Sequence, residues 1–391
     1  MGMRITRFVF RTIIGNVARE EEMNTKIYKI LLINPGSTST KVAYFENEKC
    51  ILSRSIFHDS SELLKYDTIN DQLNYRMFAV RNFLKDSKVD LEGLDAVVGR
   101  GGPSYSCESG TYKITDKLVK DTREMKGHYY HASMLGVQMA QEVQNKYGCT
   151  AFMVDPPVVD ELCDEARITG VKDIYRRAGA HVLNAKETSK EYAASIGKKY
   201  EDLNLIVAHI DGGISITAHR HGRMIDCNDT GGGEGPFTPT RMGSLAVTDY
   251  LDYLSDKDKK DIRRLCSQAG GLSSWFGTSD APDIYYDKVR KGDPTAVRVW
   301  TAMLYQCRKW ICMMSAPLQG HVDAILLTGG LLRIPGVIDY VSEGVSWIAP
   351  VKAYPGELEN EAMVNGALRV LRGEEKAKTY TGKPVWNGFK D

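Results

Sequence analysis

The residues able to do chemistry in this chain are a small set of charged side chains placed beside glycines or at the ends of apolar runs. Arg100 lies in Gly99-Arg-Gly-Gly102 and Arg241 in Arg241-Met-Gly243. A guanidinium fork suits carboxylate and phosphoryl oxygens. Taken singly, each arginine also reads as a surface salt-bridge partner. His131 and His209 stand at the edges of predicted helix and strand segments, where a lone histidine is commonly structural. Asp155 directly follows the apolar run Ala151-Phe-Met-Val154, and Glu361 opens the last helical pattern. A carboxylate in a first helical turn is ordinarily a partner for the helix dipole. Together, Asp155 and Glu361 suffice for Mg²⁺, which takes one or two carboxylates, waters and substrate phosphates.

Five turns rich in glycine and hydroxyl residues accompany them, at 34–40, 99–102, 209–213, 231–235 and 328–330. Backbone amides in such turns form anion-binding nests, and glycine lets a phosphate approach the backbone. Any one of them reads as a plain hairpin turn. Neither the GxxxxGK[ST] loop nor a GxGxxG after the first strand is present, which argues against P-loop and dinucleotide sites.

The elements that must position these residues repeat. Lys29-Ile-Leu-Leu-Ile33 predicts a strand, Asn34 to Thr40 a turn, Lys41-Val-Ala-Tyr-Phe45 a second strand, and Lys49 to Ile56 a third. The pattern recurs as Leu205-Ile-Val-Ala208, the turn His209 to Gly213, Ile214 to Ala218, and Arg223 to Cys227. Helices are expected over 71–84, 131–146 and 359–371, and a partly buried one over 299–318. Further strands are expected at 94–98, 151–154 and 324–327. Alternating strands and helices imply an α/β fold built from two related domains, each opening with a β-meander. Phosphate-gripping turns at corresponding places in both, with a third after a later strand, are the logic of ATP bound between two duplicated domains.

Composition sets the limits. The chain has 391 residues, with 51 Lys+Arg against 50 Asp+Glu and a net charge of +1. That balance argues against a nucleic-acid binder, which carries a basic excess. A length of this size suggests two domains at roughly 100–200 residues each. No uncharged apolar run of membrane-spanning length occurs. The eight cysteines form no CxxC pair, so they read as free thiols of a reducing, cytoplasmic compartment. Residues 1–22 are basic and apolar, then acidic, and read as an over-long start or a disordered leader. The expected domains are 26–155, completed by a C-terminal helical segment 358–391, and 156–357, the nucleotide-binding half.

These segments resemble the acetate and butyrate kinase family. The likeness lies in Asn34-Pro-Gly-Ser-Thr-Ser-Thr-Lys41, GRGG at 99–102, His131-Ala-Ser133 and VDPPVVDE at 154–161. It continues through LIVAHIDGGIS at 205–215, GEGPFTPTR at 233–241, LLTGGLLR at 326–333 and YPGELENEA at 354–362. GRGG with the GEGPF segment is closer to the butyrate and branched-chain fatty-acid kinase branch. The resemblance implies an actin-like ATPase (ribonuclease H-like) fold and transfer of the ATP γ-phosphoryl to a short-chain carboxylate, giving an acyl phosphate and ADP. It implies that Asn34 touches the transferring phosphoryl, and that Arg100 and Arg241 clamp it and the substrate carboxylate. His131 and Asp155 would line the substrate and metal side. His209 would donate to the transition-state oxygens, and Glu361 would hold Mg²⁺ through water. Gly36, Ser37, Thr38, Ser39, Gly212 and Gly213 would grip phosphate, and Gly329 and Gly330 would bracket the adenosine. The family's members associate, so a homodimer or larger homo-oligomer is expected.

One departure stands out. Asp211 occupies a position where the family has Gly or a similarly small residue, and a carboxylate there repels ATP unless it is neutralised or turned outward. Met242 and Ser244, after Arg241, also depart from the branch. Branched-chain acids, propionate or acetate are alternative substrates. A non-catalytic actin-like nucleotide-binding protein is the reading from a different class.

Overall fold

The computed structural model describes residues 26–102, 105–125 and 131–389; the leader reading at 1–22 lies outside them. The described residues divide into two units. The first comprises 26–102, 110–125, 131–154 and 363–382, and the second 105–109, 155–362 and 383–389.

The first unit is built on a seven-stranded sheet. Its meander is β1 (Lys29–Pro35), β2 (Ser39–Glu46) and β3 (Lys49–Phe57). β1 also pairs in parallel with β4 (Ala96–Gly99), and β4 with β6 (Thr150–Val154). β5 (Thr111–Lys113) and the short β12 (Lys378–Thr379) extend that edge. The four residues of β4 and the central four of β1, Ile30 to Ile33, are almost fully buried, as expected of central parallel strands covered on both faces. Helices α1 (Leu73–Asp86) and α2 (Leu135–Tyr147) belong to this unit, and α2 packs on β4 and β6. α2 ends at Gly148, whose left-handed φ of 70° is a common way to close a helix.

The second unit repeats the plan. β7 (Asn204–Ile210), β8 (Ile214–Arg220) and β9 (Arg223–Cys227) form its meander, and β10 (Ala324–Gly329) pairs in parallel with β7 and with β11 (Val351–Pro355). The sheet order β11-β10-β7-β8-β9 matches β6-β4-β1-β2-β3 strand for strand. Each meander even carries a register shift in its middle strand, between Tyr44 and Phe45 and between Ala218 and His219. The duplication inferred from the two sequence patterns is thus present in topology.

Side-chain alternation along these strands decides which face each residue serves. Ile206, Ala208 and Ile210 of β7, with Ile325 and Leu327 of β10, pack into a core that includes α4 (Pro294–Met313). Leu205 and Val207, with Ala324 and Leu326, face the opposite way, against Ala185 and Ala193 of α3 (Val182–Ser195). His209 and Thr328 continue that second series by the same alternation, so α3 is the helix they meet.

α4 begins five residues before the expected 299. Asp293 caps it by accepting the Ala296 amide at 2.7 Å, and Pro294 occupies its first position. α1 likewise starts two residues late, after a 3₁₀ turn at Asn70–Gln72. Asp95 does not join β4, because its carboxylate accepts the Lys29 amide at 2.8 Å. The last helix, α5 (Glu359–Leu371), has the expected bounds. All eight cysteines are free thiols. Among the described residues no helix is long and apolar enough to cross a membrane.

Candidate active site

In the first unit, the expected residues gather where β1 and β4 end. Ile33 and Gly99 are register partners, so Asn34, near the end of β1, and Arg100, just past β4, stand at neighbouring positions. The Arg100 amide donates to the Ile33 carbonyl at 2.9 Å. Ligands of open α/β sheets collect at such carboxyl ends. The GRGG glycines are needed for packing: a Cβ on Gly99 or Gly101 would run into the backbone of Gly136 or Ser133 at the start of α2. That close crossing brings Arg100 to the 131–136 segment. His131 caps the 3₁₀ turn Ala132–Met134, its Nδ1 accepting the Ser133 amide at 3.1 Å. Its Nε2 lies 3.5 Å from the Ser37 hydroxyl of the first turn.

That turn is held by a residue absent from the sequence reading. Arg76 of α1 is fully buried, and its guanidinium donates to the carbonyls of Gly36 (2.9 Å), Ser37 (2.9 Å) and Ser39 (3.0 Å) and to Thr40 Oγ1 (3.2 Å). The Thr38 carbonyl accepts from the His58 amide. All four carbonyls of 36–39 are therefore engaged by protein donors, which suits a loop meant to meet an anion.

In the second unit, His209, Thr328 and Tyr354 are level with one another in the register of β7, β10 and β11. His209 is 1% exposed. Its Nδ1 meets Asn184 Nδ2 at 2.9 Å, its Nε2 meets Glu357 Oε1 at 3.5 Å, and its ring stacks on His181 with centroids 4.0 Å apart. His181 precedes α3 and contacts Ser215 Oγ through Nδ1 at 2.9 Å. Gly213 sits against this pair, and a Cβ there would fall 2.7 Å from Arg241 Nη1 and 3.0 Å from His181 Cε1. Glycine at 213 is what lets the imidazole and the guanidinium come together.

Arg241 is the most telling side chain. Its Nε and Nη1 are buried without a hydrogen-bond partner. Burial pushes its pKa down, with Asp229 opposing. A buried unpaired cation is costly unless an anion is supplied from outside. The loop is fixed to receive one. Thr238 and Thr240 hydroxyls donate to the Gly212 carbonyl, and Thr238 Oγ1 accepts the Arg241 amide at 3.0 Å. Ser244 and Gly235 bond reciprocally, Ser244 N to Gly235 O and Gly235 N to Ser244 Oγ. The unusual Ser244 thus closes the loop that carries Arg241.

Asp211 is turned onto the backbone. Its carboxylate accepts the Gly212 amide at 2.7 Å and the Gly330 amide. The two glycine loops expected to meet nucleotide are thereby joined by this one side chain. Gly329 ends β10, packed against the Ile210 backbone at the end of β7.

Asp155 follows β6 with a positive φ of 35° and is 3% exposed, and Lys190 Nζ lies 3.9 Å from its carboxylate. Glu361 is exposed in the first turn of α5. Burial raises the Glu191 pKa, and the charges of Glu187 and Glu361 raise it further, so these three carboxylates lie near one another. By type, carboxylate oxygens such as those of Asp155 and Glu361 suit Mg²⁺. His209, Asp211 and Glu357 also bring ligand atoms within 4.8 Å of one another. An imidazole in the set suits a transition metal better than Mg²⁺.

His181, Asn184 and Arg76 had no signal in the sequence reading, and Glu357 lies in the YPGELENEA segment without being singled out. Asn184 belongs to α3 and His181 directly precedes it, and the buried surface of that helix mixes polar with apolar residues, so no apolar stripe marks it.

Residues 29–333 match the acetokinase family. A probable butyrate kinase of Coprothermobacter proteolyticus is 43% identical over 356 residues, 90% of this chain and 99% of that protein. Butyrate kinase 2 of Clostridium acetobutylicum is 42% identical over the same shares. Acetate kinase of Porphyromonas gingivalis superposes with a TM-score of 0.70 at 18% identity, over 88% of this chain and 99% of its own. A propionate kinase of Francisella tularensis gives 0.65, also at 18% identity, over 86% and 98%. The likeness to these two is one of fold. By the match to its profile and its identity to these relatives, the chain belongs to the acetokinase family.

Proposed function

We propose that this protein is a butyrate kinase, transferring the γ-phosphoryl group of ATP to the carboxylate of a short-chain fatty acid. The observation that carries the reading is Arg241: a half-buried arginine with two buried, unpartnered guanidinium nitrogens, set beside His181, His209 and a glycine turn. Family membership says which anions it meets, and the two relatives named butyrate kinases point to a four-carbon acid.

The chemistry needs no general base. A fatty acid has a carboxyl pKa near that of Glu, about 4.3, and is ionised at neutral pH. Its oxygen attacks the γ-phosphorus in line, and the bond from phosphorus to the β,γ-bridging oxygen breaks. ADP leaves with that electron pair. The difficulty is bringing one anion to another, so the protein supplies positioning and neutralisation. Arg241 and Arg100 serve the phosphoryl and carboxylate oxygens. His209 donates to oxygens that gain charge, and His181 belongs beside it. Asn34, the 36–39 turn and His131 would supply further donors. Asp155 and Glu361 would hold Mg²⁺, whose charge offsets that of the phosphates. We read the transfer as direct, with no phosphoenzyme.

The test is a hydroxamate trap for acyl phosphate with ATP, Mg²⁺ and acids of two to five carbons. Product that peaks at four carbons is expected, with graded neighbours, since each methylene in an apolar pocket is worth only about 1–3 kcal/mol. A maximum at two or three carbons, or with a branched acid, reassigns the substrate. No product with any acid refutes the kinase.

A further inference from the structure

A buried chain of hydrogen bonds behind His209 has its direction fixed at both ends. The Leu358 amide donates to Asn184 Oδ1 at 2.8 Å. A backbone N–H can only donate, so the Asn184 oxygen faces it and the NH₂ group faces the other way. At the far end, the Gly356 carbonyl can only accept, so Thr328 Oγ1 donates its single proton there at 2.9 Å. The Thr328 oxygen is left as an acceptor and takes one Asn184 Nδ2 proton at 3.1 Å. The second Nδ2 proton is directed at His209 Nδ1, 2.9 Å away. A ring nitrogen that accepts a hydrogen bond carries no proton, so neutral His209 bears its proton on Nε2. Asn184, His209 and Thr328 are each no more than 1% exposed, which leaves little access for water to replace these partners.

We propose that Asn184 is a positioning residue that locks His209 in the Nε2–H tautomer, so that Nε2 is a hydrogen-bond donor before substrate arrives. The inference rests on the reading of His209 as a donor to phosphoryl oxygens. The surroundings agree with a proton at Nε2. Glu357 Oε1 stands 3.5 Å from that nitrogen, the Asp211 carboxylate belongs to the same cluster, and the His181 ring is stacked alongside. A metal bound at His209, Asp211 and Glu357 through Nε2 would have to displace this proton. With the opposite tautomer, Nε2 would present a lone pair to phosphoryl oxygens and repel them. Asn184 never touches substrate in this scheme; it acts through the imidazole.

The experiment is long-range ¹H–¹⁵N correlation spectroscopy on the ¹⁵N-labelled full chain above the histidine pKa range, with His209 identified by its loss in His209→Gln. The expected spectrum shows a protonated-type Nε2 and an unprotonated-type Nδ1. A wild-type spectrum with the proton on Nδ1, or with both tautomers equally populated, overturns the proposal whatever the variants do. In Asn184→Asp the side chain can only accept, so the proton is expected at Nδ1, alone or with Nε2 also protonated. Where Nε2 loses its proton, kcat for acyl phosphate formation falls roughly 10²-fold, the scale of one lost stabilising donor, while KM for ATP changes little; where Nε2 keeps it, kcat stays near the wild-type value. Asn184→Ala, which imposes neither tautomer, is expected between the two. Asn184→Asp with Nδ1 still unprotonated, or with Nε2 unprotonated and full kcat, also overturns it. The wild-type spectrum needs no substrate, so a wild-type chain that forms no acyl phosphate would refute the kinase reading and leave the tautomer assignment standing.

Discussion

Arg241 and Asp211 show how single side chains set the electrostatics of the second unit. Arg241 has no described ion-pair partner and is partly desolvated, so an incoming phosphoryl or carboxylate group gains a charge-assisted bond without breaking one. Arg241→Ala is expected to lower kcat by roughly 10²–10³, and Arg241→Lys to recover little of it, because an ammonium lacks the planar fork. Steady-state kinetics decides this, and near-normal turnover in Arg241→Ala would remove Arg241 from the transition state. Asp211 has the opposite sign. Its carboxylate is partly neutralised by the Gly212 and Gly330 amides, which answers the concern that it simply repels ATP. It also occupies two donors that a phosphate would otherwise use. Asp211→Gly should therefore bind ATP more tightly, by several-fold, since one like charge at close range is worth about 1 kcal/mol in water. Calorimetry of ATP binding checks it; equal or weaker binding would mean that the carboxylate shapes the loop more than it repels the ligand.

At the scale of elements, α3 links catalytic geometry to a buried ion pair. The helix carries Asn184 on its first turn and Lys186 two residues later. Lys186 Nζ donates to Glu161 Oε2 (2.8 Å), Ser109 Oγ (2.8 Å) and the Gly222 carbonyl (3.0 Å). Burial alone would raise the Glu161 pKa, but the Lys186 charge and hydrogen bond, with the Met224 amide, hold it at about 2. Lys186→Met leaves that carboxylate buried and unpaired, and should cost about 3–5 kcal/mol in urea unfolding. Lys186→Met combined with Glu161→Gln should recover part of the loss, because the amide oxygen still accepts from Met224 without a charge. A single variant as stable as wild type would show that the pair does not hold the helix. The same helix explains the limits of the sequence. The two meanders, β4, β6, β10 and α5 were legible because apolar alternation or a 3.6-residue stripe marks each. α3 buries Asn184, Lys186, Glu187, Thr188 and Ser189 together with Val182, Leu183, Ala185 and Ala193, so polar residues interrupt its buried surface and no periodic apolar signal results. His181 and Asn184 went unread for that reason. Arg76 went unread because a fully buried arginine in an amphipathic helix looks like a surface charge. The turns at 34–40 and 209–213, by contrast, announced themselves through glycine and hydroxyl composition.

On the scale of the whole molecule, each unit buries a histidine whose pKa is pushed down, and the two are expected to lower stability in acid. His58, in the first unit, is pushed down from 6.5 to about 4 by burial and then by Arg76, and it bonds Thr40 Oγ1 at 2.8 Å. His219, in the second, is pushed down to about 3 by burial and then by Lys186, with Glu161 opposing; it lies between the Tyr200 and Thr217 hydroxyls. Both folded-state values lie below the unfolded one. Between about pH 4 and 6.5 the unfolded chain therefore holds more protons, and stability rises with pH across that window. Lowering the pH to about 5 should cost about 2 kcal/mol from each histidine, a large share of a typical stability of about 5–15 kcal/mol. Glu161, with its depressed pKa, adds to the loss only below about pH 4.5. The five tryptophans, Trp275, Trp300, Trp310, Trp347 and Trp386, all belong to the second unit. Fluorescence therefore follows the unit of His219, whereas circular dichroism follows both. In urea unfolding at about pH 7.5 and 5, the wild-type fluorescence midpoint is expected to fall, and to fall equally in His58→Gln. The circular-dichroism midpoint of His58→Gln is expected to fall less than that of wild type, by the His58 share of about 2 kcal/mol. A wild-type protein equally stable at both pH values would show that neither imidazole takes up its proton on unfolding.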